Sequence, residues 1–178
     1  KYDEGLAILS RIPIAETKQF YITASQDYAN WKTRRILGIG IATEHGMEYF
    51  YSVHMGWWKD EDEPFEGQWE RIRRELGGGA CLETYPGPVP GPVWLMGDFN
   101  SPAHVRGEGR DLIRGFGWLD SYELARSKDS GITVGHAIDG WREQEDVSGM
   151  RIDYIWTSRK VPVRSSRVIF NGSCEPIV

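Results

Sequence analysis

Short apolar runs separated by polar, glycine-rich or proline-rich breaks dominate the chain, and most are too short and too rich in β-branched and aromatic residues to be helices. Leu6-Ala7-Ile8-Leu9 is the first run; Arg11-Ile12-Pro13-Ile14 closes it, which predicts a buried strand. A second run, Ile36 to Thr43, follows the polar stretch Asn30-Trp31-Lys32-Thr33-Arg34-Arg35. Glu44-His45-Gly46-Met47 then reads as a hairpin turn into Glu48 to His54, so two antiparallel neighbours are expected. One window changes period. Phe65, Trp69, Ile72 and Leu76 recur at helical spacing, with Pro64 suited to a first turn and Gly77-Gly78-Gly79 to a stop, which predicts an amphipathic helix with Trp69 on its core side.

Downstream, the connector Tyr85 to Pro92 leads into Val93 to Met96, a strand that ends at Gly97. Asp111 to Gly115 predicts a short helix, and Asp120 or Ser121 a cap for another helical turn. Lys128 to Glu145 is a long polar loop, of the kind that in compact domains is often functional. Arg151 to Thr157 is a strand, and Ser166 to Phe170 the last one. No internal repeat is present, and the order of strands and helices is not that of a Rossmann fold.

A chain of 178 residues suits one domain, spanning 1–178, with a core large enough to cover a sheet on both faces. The formal charge of -5 and a pI near 5.4 disfavour a surface that grips phosphate backbones by charge alone, although a bound cation would reverse the local sign. A nucleic-acid partner is therefore not expected. Two cysteines, Cys81 and Cys174, make no disulfide framework and lack zinc-site spacing, which favours a reducing compartment. No apolar stretch is long enough to span a bilayer and no leader is evident, so a cytoplasmic location without membrane contact is the expectation. Eight Trp and eight Tyr add rings suited to surfaces that are apolar and still hydrogen-bond.

Candidate chemistry gathers at three strand ends. If the backbone stays extended past Gly97, Asp98 and Asn100 face one side while Phe99 turns inward, which puts a carboxylate and an amide side by side. Such a pair suits a hard divalent cation or an oriented water. His54 closes its strand and is followed directly by Met55-Gly56-Trp57-Trp58-Lys59-Asp60-Glu61. A lone histidine is more often structural, but this one stands beside aromatics at a strand end. Asp153 interrupts an apolar strand and so needs a partner or solvent.

Taken together, Glu4 before Gly5-Leu6-Ala7-Ile8-Leu9-Ser10, the strand Tyr51-Ser52-Val53-His54, Gly97-Asp98-Phe99-Asn100 and Arg151-Ile152-Asp153-Tyr154 resemble the endonuclease/exonuclease/phosphatase superfamily of metal-dependent phosphoesterases. The resemblance runs over nearly the whole chain. It implies an α+β fold, a two-sheet β-sandwich flanked by helices (four-layer α/β/β/α, DNase I-like), here incomplete at both termini. It also implies Mg²⁺, with Mn²⁺ an alternative, and a role for each matched residue. Asp98 would orient or deprotonate the attacking water, and Asn100 would hold the nucleophile and a phosphoryl oxygen, both at the metal. His54 would hydrogen-bond the phosphate, Glu4 would pair with it, Asp153 would orient a second histidine, and Arg34 or Arg35 would reach phosphate.

The pattern's upstream metal-binding glutamate and its terminal Ser-Asp-His are not in this sequence, so the resemblance further implies a chain clipped at both ends and inactive by itself. Within the superfamily, the Trp57-Trp58 loop, Asn30 to Arg35 and Ile138-Asp139-Gly140-Trp141-Arg142 look like the phosphatases of sugar phosphates. Trp57, Trp58 and Trp141 then become candidate sugar contacts and a small-molecule sugar phosphate the expected partner. The alternatives are a Mg²⁺-dependent DNA nuclease of the same fold and a non-catalytic module that only binds sugar phosphate.

Overall fold

The computed structural model describes residues 5–44, 46–76, 91–134 and 149–169. It is a mixed α+β fold. In chain order the elements are β1 (Glu16–Tyr21), β2 (Arg35–Thr43), β3 (Gly46–His54), α1 (Phe65–Glu75), β4 (Val93–Asp98), α2 (Gly109–Gly115), β5 (Leu119–Asp120), α3 (Ser121–Leu124), β6 (Ala125–Lys128), β7 (Asp153–Thr157) and β8 (Val163–Ser166). A six-stranded sheet runs β1-β2-β3-β4-β7-β5, and β6 and β8 form a second, two-stranded sheet. In the large sheet only β3 and β4 are parallel, and α1 lies in the crossover that a parallel pair requires.

Register explains how the two sheet faces differ. Tyr51, Leu95 and Trp156 share one rung across β3, β4 and β7, and Val53, Gly97 and Tyr154 the rung two residues along. These side chains join Phe65, Trp69 and Ile72 of α1 in the main core. The helix forms as its spacing predicts, with its apolar stripe buried and Arg73 and Arg74 in the last turn, where cations offset the helix dipole. Pro64 is the N-cap residue rather than a first-turn residue. On the opposite face Phe50 and Trp94 stack with parallel rings 6.2 Å apart, Met96 is half-buried and Ile155 is 46% exposed.

Two strand expectations are also corrected. Leu6 to Leu9 is not a buried strand: the segment is irregular and Leu9 is 96% exposed. The free edge of β2 is taken instead by β1, a polar strand whose Lys18 and Gln19 suit an edge. That leaves the apolar run without a ladder to join among the described residues. The last strand lies at Val163–Ser166 instead of Ser166 to Phe170, because parallel pairing with β6, Ala125 opposite Val163 and Lys128 opposite Ser166, sets its bounds. Asp120 is the cap of α3, accepting from the Tyr122 N–H at 3.0 Å.

Candidate active site

Three strands deliver three side chains to a single rung. His54 ends β3, Asp98 ends β4 and Asp153 begins β7, and the register pairs His54 with Asp98 and Asp98 with Asp153. They lie on the face opposite the helix core, two residues beyond Ser52, Met96 and Ile155. Gly97 permits the close approach: its φ is +135°, and a Cβ there would lie 2.1 Å from the Val53 carbonyl oxygen. Beyond Asp98 the chain is pinned on both sides. The Met55 N–H donates to the Asp98 carbonyl at 2.9 Å, and the Phe99 N–H to the Ile152 carbonyl at 3.0 Å, with the Phe99 ring fully buried.

Asn100 reaches the site by a turn, not by the extended backbone expected from its spacing. Its φ is +45°, the one positive value outside glycine among the described residues, a region that asparagine tolerates better than most. Its backbone N–H donates to Asp98 Oδ1 at 2.7 Å, and its Nδ2 donates to the Met55 carbonyl at 2.7 Å. The second bond leaves Oδ1 as the side-chain atom that can accept a hydrogen bond or join a cation. Asn100 is 5% exposed, so its orientation is set by these bonds.

Burial pushes the Asp98 carboxyl up from 3.8 to about 6; the Asn100 N–H opposes the shift, the negative charge of Asp153 adds to it, and Arg34 opposes it. The Asp98 side chain is still 31% exposed and His54 35%, with Nε2 to Oδ2 at 3.9 Å, beyond hydrogen-bond range. A half-desolvated carboxylate next to a second one is an environment that a divalent cation would relieve, and Asp98 with the Asn100 amide oxygen is an all-oxygen donor set of the kind Mg²⁺ takes. Among the described residues no three His, Cys, Asp or Glu side chains converge as a self-sufficient metal site. The donors present therefore fit part of a magnesium shell, which characteristically keeps waters and substrate oxygens.

Neither a family model nor a curated protein matches the sequence. Solved structures do. A protein from Leptotrichia buccalis, described as of the endonuclease/exonuclease/phosphatase family, is 32% identical and superposes with a TM-score of 0.73, covering 92% of this chain and 57% of that one. The chain belongs to the endonuclease/exonuclease/phosphatase superfamily. More distant superfamily folds include the Bacteroides thetaiotaomicron mannosyl-6-phosphatase (17% identity, TM-score 0.61, covering 86% of this chain and 55% of that one). Another is sphingomyelinase C from Streptomyces griseocarneus (18%, 0.59, 91% and 56%). At those identities the likeness is one of fold. The chain thus spans between half and two thirds of the length of each relative.

In this superfamily member the two candidate arginines part company. Arg34 is the one whose charge acts on Asp98, and its Nη1 donates to the Trp31 carbonyl at 2.8 Å; Arg35 is exposed and lies 4.7 Å over the Tyr21 ring at the sheet edge. Trp57 and Trp58 are both half-buried, and the Trp58 ring meets Phe65 at 5.6 Å. Glu4 and Trp141 lie outside the described residues. The N–H groups of Asp153 and Ile152 donate to Thr133 Oγ1 at 3.3 and 3.2 Å.

Sequence reasoning missed the braces of this site. Gln68 is fully buried; its Oε1 accepts from the Gly56 N–H at 2.9 Å and its Nε2 donates to the Glu63 carbonyl at 2.7 Å, so one side chain closes both ends of the loop after His54. Glu63, 5% exposed, accepts the Ala24 and Ser25 N–H groups, each at 2.8 Å, tying that loop to the one between β1 and β2. A polar residue three positions after Phe65, on the stripe that the helix buries, was the available signal for Gln68. Beneath Asn100, Tyr154 donates to the Ser101 carbonyl at 2.6 Å, and burial pushes its phenol well above the ordinary range. Arg151 pairs there with Asp120 at 2.8 Å.

Proposed function

We propose that this chain carries the water-orienting and phosphate-binding part of a divalent-cation-dependent phosphoesterase, and that its substrate is a sugar phosphomonoester such as maltose 6'-phosphate. The observation that carries the reading is the single rung His54, Asp98 and Asp153, with Asn100 locked beside it. Because the chain spans little more than half of its relatives, the activity is assigned to the full-length protein.

Phosphoryl transfer calls for charge neutralisation and in-line placement of a nucleophile rather than for a covalent intermediate. Asp98, with its carboxyl raised to about 6, is a base matched to neutral pH and can hold a water and take its proton. His54, one strand over, would donate to a phosphoryl oxygen, and Asn100 would accept from the water through Oδ1 and offer the Nδ2 hydrogen that Met55 does not take to a second oxygen. Arg34 adds positive charge on the same side. Mg²⁺ or Mn²⁺ held by Asp98 and Asn100 would neutralise developing charge on the phosphoryl oxygens. The half-buried rings of Trp57 and Trp58 would cover an apolar sugar face, and the neighbouring acidic loop would repel a polyanion, which favours a small cytoplasmic substrate over nucleic acid.

The test is one assay of the full-length protein with Mg²⁺ at neutral pH on disaccharide and monosaccharide phosphates, nucleotides and plasmid DNA. Fastest release of phosphate from a sugar phosphate is the expected result. Fastest cleavage of DNA would replace the reading by a nuclease, and binding of sugar phosphate without turnover would leave a binding module.

A further inference from the structure

We infer that Trp31 is a sugar-stacking ring of the substrate site, an assignment that rests on the sugar-phosphate reading above and adds a specificity residue to it. Scattered exposed rings are ordinary on protein surfaces. Trp31 differs in being both exposed, at 72%, and held. On either side of it, Asn30 N–H donates to the Asp27 carbonyl at 3.1 Å, Thr33 N–H to the Asn30 carbonyl at 3.0 Å and Lys32 N–H to Asn30 Oδ1 at 3.0 Å. Lys32 Nζ, 5.7 Å from the ring centre, pairs with Asp60 at 3.0 Å and Asp62 at 2.6 Å. Ordering a loop to this degree costs conformational entropy, and the exposed ring recovers little for it beyond the Lys32 contact until something covers the ring.

Two contacts bring the loop that carries the ring to the side of the rung. Arg34, whose guanidinium holds the Trp31 carbonyl, immediately precedes β2, whose first residues run beside the His54 end of β3, with Leu37 opposite Ser52. Asp60, which Lys32 holds, belongs to the loop that leaves His54. A phosphate seated at His54 and Asp98 would therefore have its organic group directed at this pair of loops. Trp58 turns part of its ring to Phe65 and keeps part of it open, whereas most of the Trp31 ring is open. The carboxylates next to it suit hydroxyl donors and disfavour further anions, so the occupant that fits is a pyranose, apolar face on the indole, in preference to a nucleobase of a polyphosphate.

The experiment compares Trp31→Ala and Trp31→Phe with the wild type in the full-length protein, using a disaccharide phosphate, glycerol phosphate and a nucleoside monophosphate. Trp31→Ala should raise KM for the disaccharide phosphate about tenfold with kcat retained, leave glycerol phosphate unchanged and leave Tm unchanged; Trp31→Phe should recover part of the loss. Equal KM changes on the disaccharide and glycerol esters, or a change confined to the nucleotide, would overturn the assignment while leaving the sugar-phosphatase reading in place. Absence of turnover on every sugar phosphate would overturn both.

Discussion

On β3, β4 and β7, the side chains at the centre of the core face, Tyr51, Val53, Leu95, Tyr154 and Trp156, are 0–3% exposed, whereas on the opposite face Ile155 is 46% exposed and His54 and Asp98 keep about a third of their side-chain surface. The same three strands thus present one dry face and one partly wet face, and the period of two along each strand sorts residues between them. A carboxylate on the dry face would have to be neutralised or paired. At the end of the wetter face Asp98 is desolvated enough for its carboxyl to rise to about 6 while remaining reachable by a water, a phosphate or a cation. The difference suits the candidate site to strand ends on this side: a reactive carboxylate needs partial burial, and full burial would remove its reactivity.

The largest effect that tests this contrast is Trp156→Ala. Its ring is fully buried among Phe99, Tyr154 and the helix residues, so its loss should cost about 3–5 kcal/mol in urea unfolding. A loss below about 1 kcal/mol would mean that the two faces are not as different as their exposures state. Next is Gln68→Ala, which strips partners from the Gly56 N–H and the Glu63 carbonyl and should cost about 2 kcal/mol. Gln68→Glu sharpens the point, since its ionised carboxylate would be buried against the Glu63 carbonyl oxygen that Nε2 donates to; it should cost more than alanine at neutral pH and less as acid protonates it. The smallest effect is expected from Ile155→Thr on the wetter face, within about 0.5 kcal/mol of wild type in the same experiment.

Period and punctuation alone foretold much of this architecture. The hairpin of β2 and β3, the helix over Phe65–Glu75, the strand at Val93 and the Asp120 cap were all legible, because each depends on local spacing or on a local hydrogen bond. The edge strand β1 was not, since an edge strand with solvent on its open side needs little apolar content and takes its place from its partner. For the site, the residues of the rung were named from motifs, but the means of holding them was not. Asn100 turns through a left-handed backbone instead of continuing the strand, and Glu63 and Gln68 act on residues as far as 39 positions away, a relation no local pattern records.

The central claim is that Asp98 is placed for reactivity at the expense of stability, and Asp98→Asn tests both halves. Because the folded-state carboxyl is raised above its ordinary 3.8 to about 6, the native state binds the proton more tightly than the unfolded state does. The contribution of Asp98 to stability is then fully present below about pH 4 and is lost as pH rises through about 6. Asparagine keeps an acceptor for the Asn100 N–H and has no charge to desolvate. The decisive measurement is therefore phosphate release from a sugar phosphate by full-length wild type and Asp98→Asn with Mg²⁺ at neutral pH, alongside melting in metal-free buffer from pH 4 to pH 8. The account predicts that turnover falls roughly a hundredfold or more while the variant melts at or above the wild type at neutral pH, an advantage that fades toward pH 4. Near-wild-type turnover, or a variant that melts well below wild type at neutral pH, would contradict it.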